Sequence, residues 1–136
     1  MPAKWPLKSD PDHYSLADLQ REGQTVWDGV LSNFALKHLA NARPNDLALI
    51  YHTGREKSVM GIAEITRGPY PDPRQNDRRF LVVDIKFRKA LPRPVTLAEI
   101  KQEASLRESE LVRLPRLSVM PVSEDQWKTL MMLAGR

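Results

Sequence analysis

The sequence predicts an α+β fold, a small mixed β-barrel of five to six short strands flanked by short helices. Two observations favour this class: short runs of β-branched and aromatic residues lie between turn sequences, and capping sequences mark short helices among them. The regular alternation of strand and helix that a doubly wound sheet requires is missing. With 136 residues, the chain has room for one core, so residues 1–136 are expected to form a single domain.

The chain begins with an edge strand and a short helix. Trp5–Ser9 has the pattern of a strand, and Pro6 places it at a sheet edge because proline has no N–H to donate to a ladder. Ser15 opens a capping box that is completed by Asp18. A helix is therefore expected over 16–21, ahead of the next extended segment.

A tryptophan lies just before a helix start in the stretch Thr25–Leu39. This stretch begins extended, turns at an Asp-Gly pair and enters a helix over 34–40. Ser32 or Asn33 can cap that helix, because either side chain can accept from the free N–H groups of its first turn. These donors, next to Trp27, suit a pocket that stacks a planar polar ligand. The alternative is that Trp27 belongs to the core and that the Asp-Gly pair is an ordinary turn.

Three further strands are expected in the middle of the chain. Leu47–Thr53 is apolar on both faces, as interior strands are, and Ser58–Ile65 is expected to pair with it antiparallel. Gly61 indicates a bulge or a point of close approach. After a proline-stiffened surface loop over 68–77, Phe80–Arg88 alternates apolar and charged residues and predicts a strand with one buried face.

The C-terminal third predicts helices around one more strand. Residues 92–95 are expected to link the preceding strand to a helix that opens on a full capping box and ends near Glu103, and a second short helix is expected within 105–111. Arg116–Val122 has the pattern of a final strand. A last helix, with a buried apolar stripe, is expected over 124–133.

Composition limits the setting and the partners. The 21 basic and 17 acidic residues give a net charge of +4 and a pI near 9.6, mild support for a polyanionic partner such as nucleic acid. The chain has no cysteine. Neither a signal peptide nor an uncharged run long enough for a membrane span is present. A cytoplasmic protein without a membrane partner is expected.

Outward-facing cations on the strand Phe80–Arg88 and in the loop before it could form a basic face for a nucleic-acid backbone. The cations in question are Lys86, Arg88, Arg78 and Arg79, with Lys89, Arg93 and Arg74 nearby. The alternative is an ordinary solvated strand face.

The residue pattern gives no sign of catalytic or metal chemistry. His13, His38 and His52 lack metal-ligand spacing. Neither a phosphate-cradling glycine loop nor a Gly-x-Ser-x-Gly elbow occurs, and no nucleophile is marked out as activated. We therefore expect no enzyme activity, no cofactor and no metal site.

Several short segments carry a family resemblance. Trp5–Pro11 is similar to a Trp-Leu-Leu-Lys-Ser-Glu-Pro motif, Trp27–Val30 to Trp-x-Gly-Val, and Asp46–Thr53 to Gly-Asp-x-Val-Leu-Phe-Tyr-His-Ser. Further matching segments are Gly61–Ile65, Tyr70–Pro73, Val83–Ile85, Arg93–Leu97 and Arg116–Val122. In this order and spacing they resemble the EVE domain family of the PUA-like superfamily, over almost the whole chain.

The resemblance implies a PUA-like curved β-barrel, akin to YTH and ASCH domains, that reads a modified base in DNA or RNA and does not catalyse a reaction. By this analogy Trp27 would be the stacking wall of a small cleft, and polar residues around it would read the edge of the base. Those residues are Lys8, Ser9 and Asp10 at the rim, Ser32 and Asn33 at the helix entrance, and Tyr51 and His52 on the opposite side.

One segment departs from the family pattern. Leu31–Lys37 stands where most members carry Arg-Asn-Tyr-Gln-Ala-Arg-Asn, so an arginine and a tyrosine are missing from the expected pocket wall, and a bacterial branch of the family is closer. The expected ligand remains a modified nucleobase of unspecified identity. Two rivals stay open: a small-metabolite binder or enzyme that uses the same cleft, and a protein-interaction module in which the cleft is vestigial.

Overall fold

The computed structural model describes residues 3–135, and this part of the chain forms five strands and six helices. The strands are β1 (Lys4–Ser9), β2 (Gln24–Trp27), β3 (Leu47–His52), β4 (Ser58–Pro71) and β5 (Leu81–Thr96). The helices are α1 (Leu16–Glu22), α2 (Asn33–Leu39), α3 (Leu97–Gln102), α4 (Ala104–Arg107), α5 (Glu110–Arg113) and α6 (Glu124–Ala134). The predicted α+β class is confirmed.

The five strands form one open, curved sheet in the order β1-β3-β4-β5-β2. β1 runs parallel to β3, and every other neighbouring pair is antiparallel. β1 lies at an edge, as Pro6 predicts. The predicted barrel is wrong, because β1 and β2 are edges that do not pair with each other. Both edges nevertheless line one cleft, so the sheet curves far enough to bring them close together.

The barrel does not close because the outer edge of β1 is covered by segment 116–122. Isolated antiparallel bridges join this segment to Lys4 and Leu7. In addition, the Lys8 N–H donates to the Ser118 carbonyl at 3.1 Å. Backbone groups that closure onto β2 would need are therefore already engaged.

Three boundaries expected from the sequence are wrong. Segment 116–122 is not a strand, since it makes only isolated bridges, and Pro121 has no N–H with which to continue a ladder. The expected loop over 68–77 begins later, because residues 68–71 belong to β4. The expected link over 92–95 is the continuation of β5. Register shifts between β4 and β5 let both strands run through these prolines.

The capping sequences place the helices correctly. Ser15, Thr96 and Ser123 each accept a hydrogen bond from the backbone N–H three residues on, and the side chain there accepts from the cap residue in return. Ser32 caps α2. The helix expected within 105–111 is instead the two short helices α4 and α5. None of the described helices is long and apolar enough to cross a membrane.

Gly61 is both a bulge and a point of close approach, as expected. The pairing of β4 with β5 shifts register between Val59 and Gly61. A Cβ atom at this position would lie 2.6 Å from Leu16 Cδ2 and 2.9 Å from the Lys89 carbonyl oxygen. The missing side chain therefore lets α1 pack directly on the sheet.

A buried carboxylate fixes β1 against the start of β3. Asp46 accepts hydrogen bonds from Trp5 Nε1 at 2.9 Å, from the Ala3 N–H at 3.0 Å and from the Arg43 N–H at 2.9 Å. The buried Trp5 indole needs such a partner, and the same carboxylate also serves two partly buried backbone donors. The same strand ends at Ser9, so this anchor positions the residues that enter the cleft.

Candidate functional site

A cleft of about 540 Å³ lies between the end of β1 and the end of β2. This volume falls within the usual range for small-ligand pockets. The cleft is open to solvent and has more polar than apolar lining. It is lined by Lys8, Ser9, Asp10, His13, Tyr14, Thr25, Val26, Trp27, Asp28 and Gly29. Four of the residues expected at the site, namely Lys8, Ser9, Asp10 and Trp27, are thus brought together here.

Two aromatic rings form the wall of the cleft. Trp27 and Tyr14 meet edge to face, with ring centroids 6.1 Å apart and planes at 82°. The Trp27 side chain is only 7% exposed, yet its indole N–H has no acceptor among the described residues. Tyr14 donates its hydroxyl to Glu22 at 2.8 Å, and burial followed by this bond raises the pKa of Tyr14. The pair is therefore a firmly packed wall with one unused donor.

Lys8 is a half-buried cation at the cleft. Its ammonium group donates to the Pro115 carbonyl at 2.9 Å and lies 5.4 Å from the centre of the Tyr51 ring. Burial lowers the pKa of Lys8, and burial also raises the pKa of Tyr51. The cation is held in place by a carbonyl and an aromatic face, and no carboxylate among the described residues neutralises it.

The rim between β1 and α1 is a hydrogen-bonded turn. The Ser9 hydroxyl donates to the Tyr14 carbonyl at 2.7 Å. The Asp10 carbonyl accepts from the N–H groups of His13 and Tyr14, and the Asp10 carboxylate accepts from the Asp12 N–H at 2.9 Å. The polar atoms of this rim are therefore fixed before any ligand arrives.

An ion-pair network anchors the opposite rim. Asp28 pairs with Arg74, which also contacts the buried carboxylate of Asp72. These contacts tie the end of β2 to the loop that follows β4. Gly29 comes next with φ of +78°, a conformation that glycine adopts without strain and other residues resist. The chain can therefore turn sharply away from the cleft at this point.

The other expected site residues lie outside the cleft. Ser32 uses its hydroxyl to cap α2, accepting from Ala35, and Asn33 is exposed at the first position of that short helix. Tyr51 is buried beneath Lys8. His52 is buried as well, with Nε2 accepting from the Leu16 N–H and Nδ1 2.6 Å from a carboxylate oxygen of Glu56. These side chains support the fold around the cleft and do not line it.

Sequence reasoning missed about half of the cleft lining. The missed residues are His13, Tyr14, Thr25, Val26, Asp28 and Gly29. Of these residues, Tyr14 could have been predicted to line the cleft, because it is an aromatic residue directly after the turn that begins at Asp10. The others could be found only by knowing that the ends of β1 and β2 face each other across the gap in the sheet.

The expected basic face is partly neutralised. Arg88 pairs with Glu64, while Arg79 pairs with Asp77 at 3.3 Å and lies over the Phe80 ring. Lys86 and Arg78 are exposed and have no ion-pair partner in the described part of the chain. Lys86 lies opposite Gln24 in the β2–β5 ladder, one residue before the cleft lining begins. No group of three potential metal ligands is found within residues 3–135.

Fold and site together define a small α+β domain whose ligand-sized cleft opens between the two edges of one curved sheet. The chain belongs to the EVE domain family, whose sequence model matches residues 3–133. The resemblance noted in the sequence is therefore confirmed.

Solved and curated relatives agree with this assignment. A protein of Rhodopseudomonas palustris solved by NMR is 39% identical, with a TM-score of 0.92 over 98% of this chain and 93% of its own. Rat thymocyte nuclear protein 1 is 24% identical in an alignment of 163 positions, gaps included, that covers 95% of this chain and 72% of the rat protein. The human THYN1 protein, solved in complex with 5-methylcytosine-containing DNA, is 23% identical with a TM-score of 0.90 over 98% of each chain. At that identity the likeness shows a shared fold.

Proposed function

We propose that this protein is a single-domain, non-catalytic nucleic-acid-binding module that recognises a modified nucleobase in DNA or RNA. The observation that carries the proposal is Trp27, an indole with an unused N–H, on the wall of an open cleft large enough for a base. The human THYN1 complex with 5-methylcytosine-containing DNA supports the same ligand class on the same fold.

Recognition would combine an aromatic wall with polar readers. A base flipped into the cleft gains roughly 1–3 kcal/mol from contact with an aromatic wall, here Trp27 and its edge-to-face partner Tyr14. Lys8, Ser9 and Asp10 lie on the opposite strand end, where ammonium, hydroxyl and carboxylate groups can read the base edge. Direct contact with the base is therefore proposed for these five side chains. Tyr51 and His52 act through the groups they support.

The phosphate backbone would follow the exposed cations next to β2. Lys86 and Arg78 are the better candidates, because Arg88 and Arg79 already have carboxylate partners. Backbone contacts of this kind supply affinity without sequence information. The cleft would then provide selectivity for the base, and the cationic face would provide affinity for the strand.

A binding screen at fixed, stated salt tests the proposal. Short DNA and RNA oligonucleotides, each with one modified or unmodified base, would be titrated against the protein by calorimetry or NMR. We expect one modified base to bind at least about tenfold more tightly than its parent, the discrimination that one buried methyl group typically provides. Uniform affinity across the panel, or none, would refute the proposal.

The charge face gives a separate prediction. Lys86→Glu should reduce the slope of log affinity against log salt by about 1, because one phosphate contact is lost. Arg88→Glu should have a smaller effect, since Glu64 already compensates that cation. Lys128→Glu on α6 is the matched control, an exposed cation that does not line the cleft. An unchanged slope for Lys86→Glu would remove this face from the interface.

The enzyme alternative would need a nucleophile hydrogen-bonded to a base inside the cleft. Within the described residues, the Ser9 hydroxyl at the cleft donates to a backbone carbonyl, which cannot accept a proton as a catalytic base does. The Tyr14 hydroxyl donates to the Glu22 carboxylate, but Glu22 does not line the cleft, and burial raises the pKa of Tyr14, which opposes its activation as a nucleophile. The cleft geometry therefore favours a reader over a hydrolytic site.

A further inference from the structure

An exposed aromatic and apolar surface lies beside the cleft and takes no part in the base site described above. We call it the Phe34 surface; it is lined by Ser32, Phe34, Arg113, Leu114, Pro115, Arg116 and Leu117. Phe34 is 52% exposed and Leu114 is 40% exposed. Exposed apolar side chains that lie next to each other are a feature of binding surfaces.

The Phe34 ring is supported from beneath. It rests against the His38 ring, with centroids 5.0 Å apart. His38 in turn lies 3.1 Å from the Glu110 carboxylate at the start of α5. One ring face is thus held within the protein while the ring remains half exposed, so little side-chain freedom is left to lose when a partner stacks on it.

Two free cations flank this ring. Arg113 and Arg116 are exposed and have no ion-pair partner among residues 3–135. Guanidinium groups form bidentate contacts with phosphate and can also stack on bases. An apolar surface bordered by unpaired arginines therefore complements a ligand that offers a flat base and a phosphate.

The Phe34 surface is continuous with the cleft. Lys8 lines the cleft, and its ammonium group donates to the carbonyl of Pro115, which lines the Phe34 surface. Along the chain, Gly29 at the cleft rim is only three residues from Ser32, a span of about 10 Å at most. The two sites therefore adjoin, with Lys8 and Pro115 at their common border.

We propose that the Phe34 surface binds the nucleotide next to the flipped base, with its base on Phe34 and Leu114 and its phosphates on Arg113 and Arg116. This inference rests on the proposed function and extends it from one base to the adjoining step of the strand. Apolar side chains insert at base steps in DNA complexes, and successive bases of a single strand stack on aromatic side chains. Continuity with the cleft and the unpaired charges favour this occupant over a protein partner.

The test compares a lone nucleoside with a strand. Wild type and Phe34→Ala would be titrated with 5-methyl-deoxycytidine, with a short single-stranded DNA that carries one central 5-methylcytosine, and with the same DNA as a duplex. We expect Phe34→Ala to weaken DNA binding roughly tenfold, as loss of one stacked base does, while nucleoside binding stays unchanged. The single-strand and duplex arms show which form the surface accepts.

Charge variants test the phosphate contacts. Arg113→Gln and Arg116→Gln should each weaken DNA binding and lower its salt slope by about 1, again without an effect on the nucleoside. Met132→Ala and Lys128→Gln, exposed positions on α6 outside both sites, should leave DNA binding as in wild type.

The outcomes distinguish a failure of this inference from a failure of the proposed function. If wild type discriminates the modified base but Phe34→Ala and the arginine variants bind DNA normally, the Phe34 surface has another partner and only this inference falls. Equal losses for nucleoside and DNA would also overturn it, because the surface would then act on the cleft itself. If wild type binds DNA without preferring the methylated base, the proposed function fails for methylcytosine. Weaker DNA binding by Phe34→Ala would then still support the strand contact, whereas unchanged binding would overturn it.

Discussion

Trp27→Ala is expected to abolish the preference for a modified base and to lower the free energy of unfolding by about 3–5 kcal/mol. Both effects follow from one side chain that lines the cleft and is also packed into the core at 7% exposure. Truncation removes the wall on which the base would lie and leaves a cavity against Tyr14. Oligonucleotide titration below the melting temperature measures the first effect, and denaturant unfolding measures the second.

Two further variants keep this test interpretable when stability falls. Trp27→Phe keeps an aromatic wall but removes the indole N–H, so it should retain most stacking affinity and lose any hydrogen bond to the ligand. Trp127→Ala removes a half-buried indole from α6, outside the cleft; it should cost stability without altering base preference. Base preference that survives in folded Trp27→Ala would show that another wall holds the ligand.

Local signals in the sequence were sufficient for the helices that begin at a capping side chain, but not for α4 and α5, which have none. A capping box such as Thr96 with Glu99 involves only residues one turn apart, so it can be recognised from four consecutive residues of the sequence. Pro6 is a second local signal: it has no N–H to donate to a ladder, which favours the edge position that β1 takes. The capped helices and the edge position of β1 were therefore confirmed.

Barrel closure was not predictable in the same way. It depends on which chain segment reaches the outer edge of β1, a contact more than a hundred residues away in sequence. Segment 116–122 makes that contact through single bridges at Leu7 and Lys4. Pro121 limits the ladder that this segment can form, but its sequence does not indicate which strand edge it covers. The extensions of β4 and β5 through their prolines were not predicted for a related reason. The register shifts that let both strands continue depend on how β4 and β5 pair with each other, which their separate sequences do not show.

The cleft is a consequence of the open sheet. If β2 paired with β1, the gap between their ends would be filled by a ladder, and Trp27 would face a closed interior. Because the edges stay apart, Lys8 and Asp10 face Trp27 across open space. The four cleft residues expected from the family resemblance are the ones on these two edges. Ser32 and Asn33 lie on α2, beyond the turn at Gly29, where the chain has already left the cleft.

Asp46→Ala is expected to lower the free energy of unfolding by about 2–5 kcal/mol and to loosen β1. The carboxylate serves the N–H groups of Trp5, Ala3 and Arg43, and its removal leaves these donors without an acceptor, the buried Trp5 indole most severely. Without this carboxylate, β1 depends at this end on its ladder with β3, on the bridge from Lys4 to Val122 and on the ion pair of Lys4 with Glu124. Denaturant unfolding measures the loss, and amide exchange in Lys4–Ser9 reports the loosening.

This prediction links the anchor to the site, because β1 carries Lys8 and Ser9 into the cleft. Oligonucleotide affinity in Asp46→Ala should therefore fall although residue 46 does not line the cleft. Asp46→Asn should lie between wild type and alanine, since its single carbonyl oxygen cannot replace both carboxylate oxygens. Asp77→Ala is the matched control: it removes an exposed carboxylate that also accepts a backbone N–H, from Arg79. Unchanged stability in Asp46→Ala would mean that water replaces the carboxylate and that the β3 ladder and the bridges to segment 116–122 hold β1 without it.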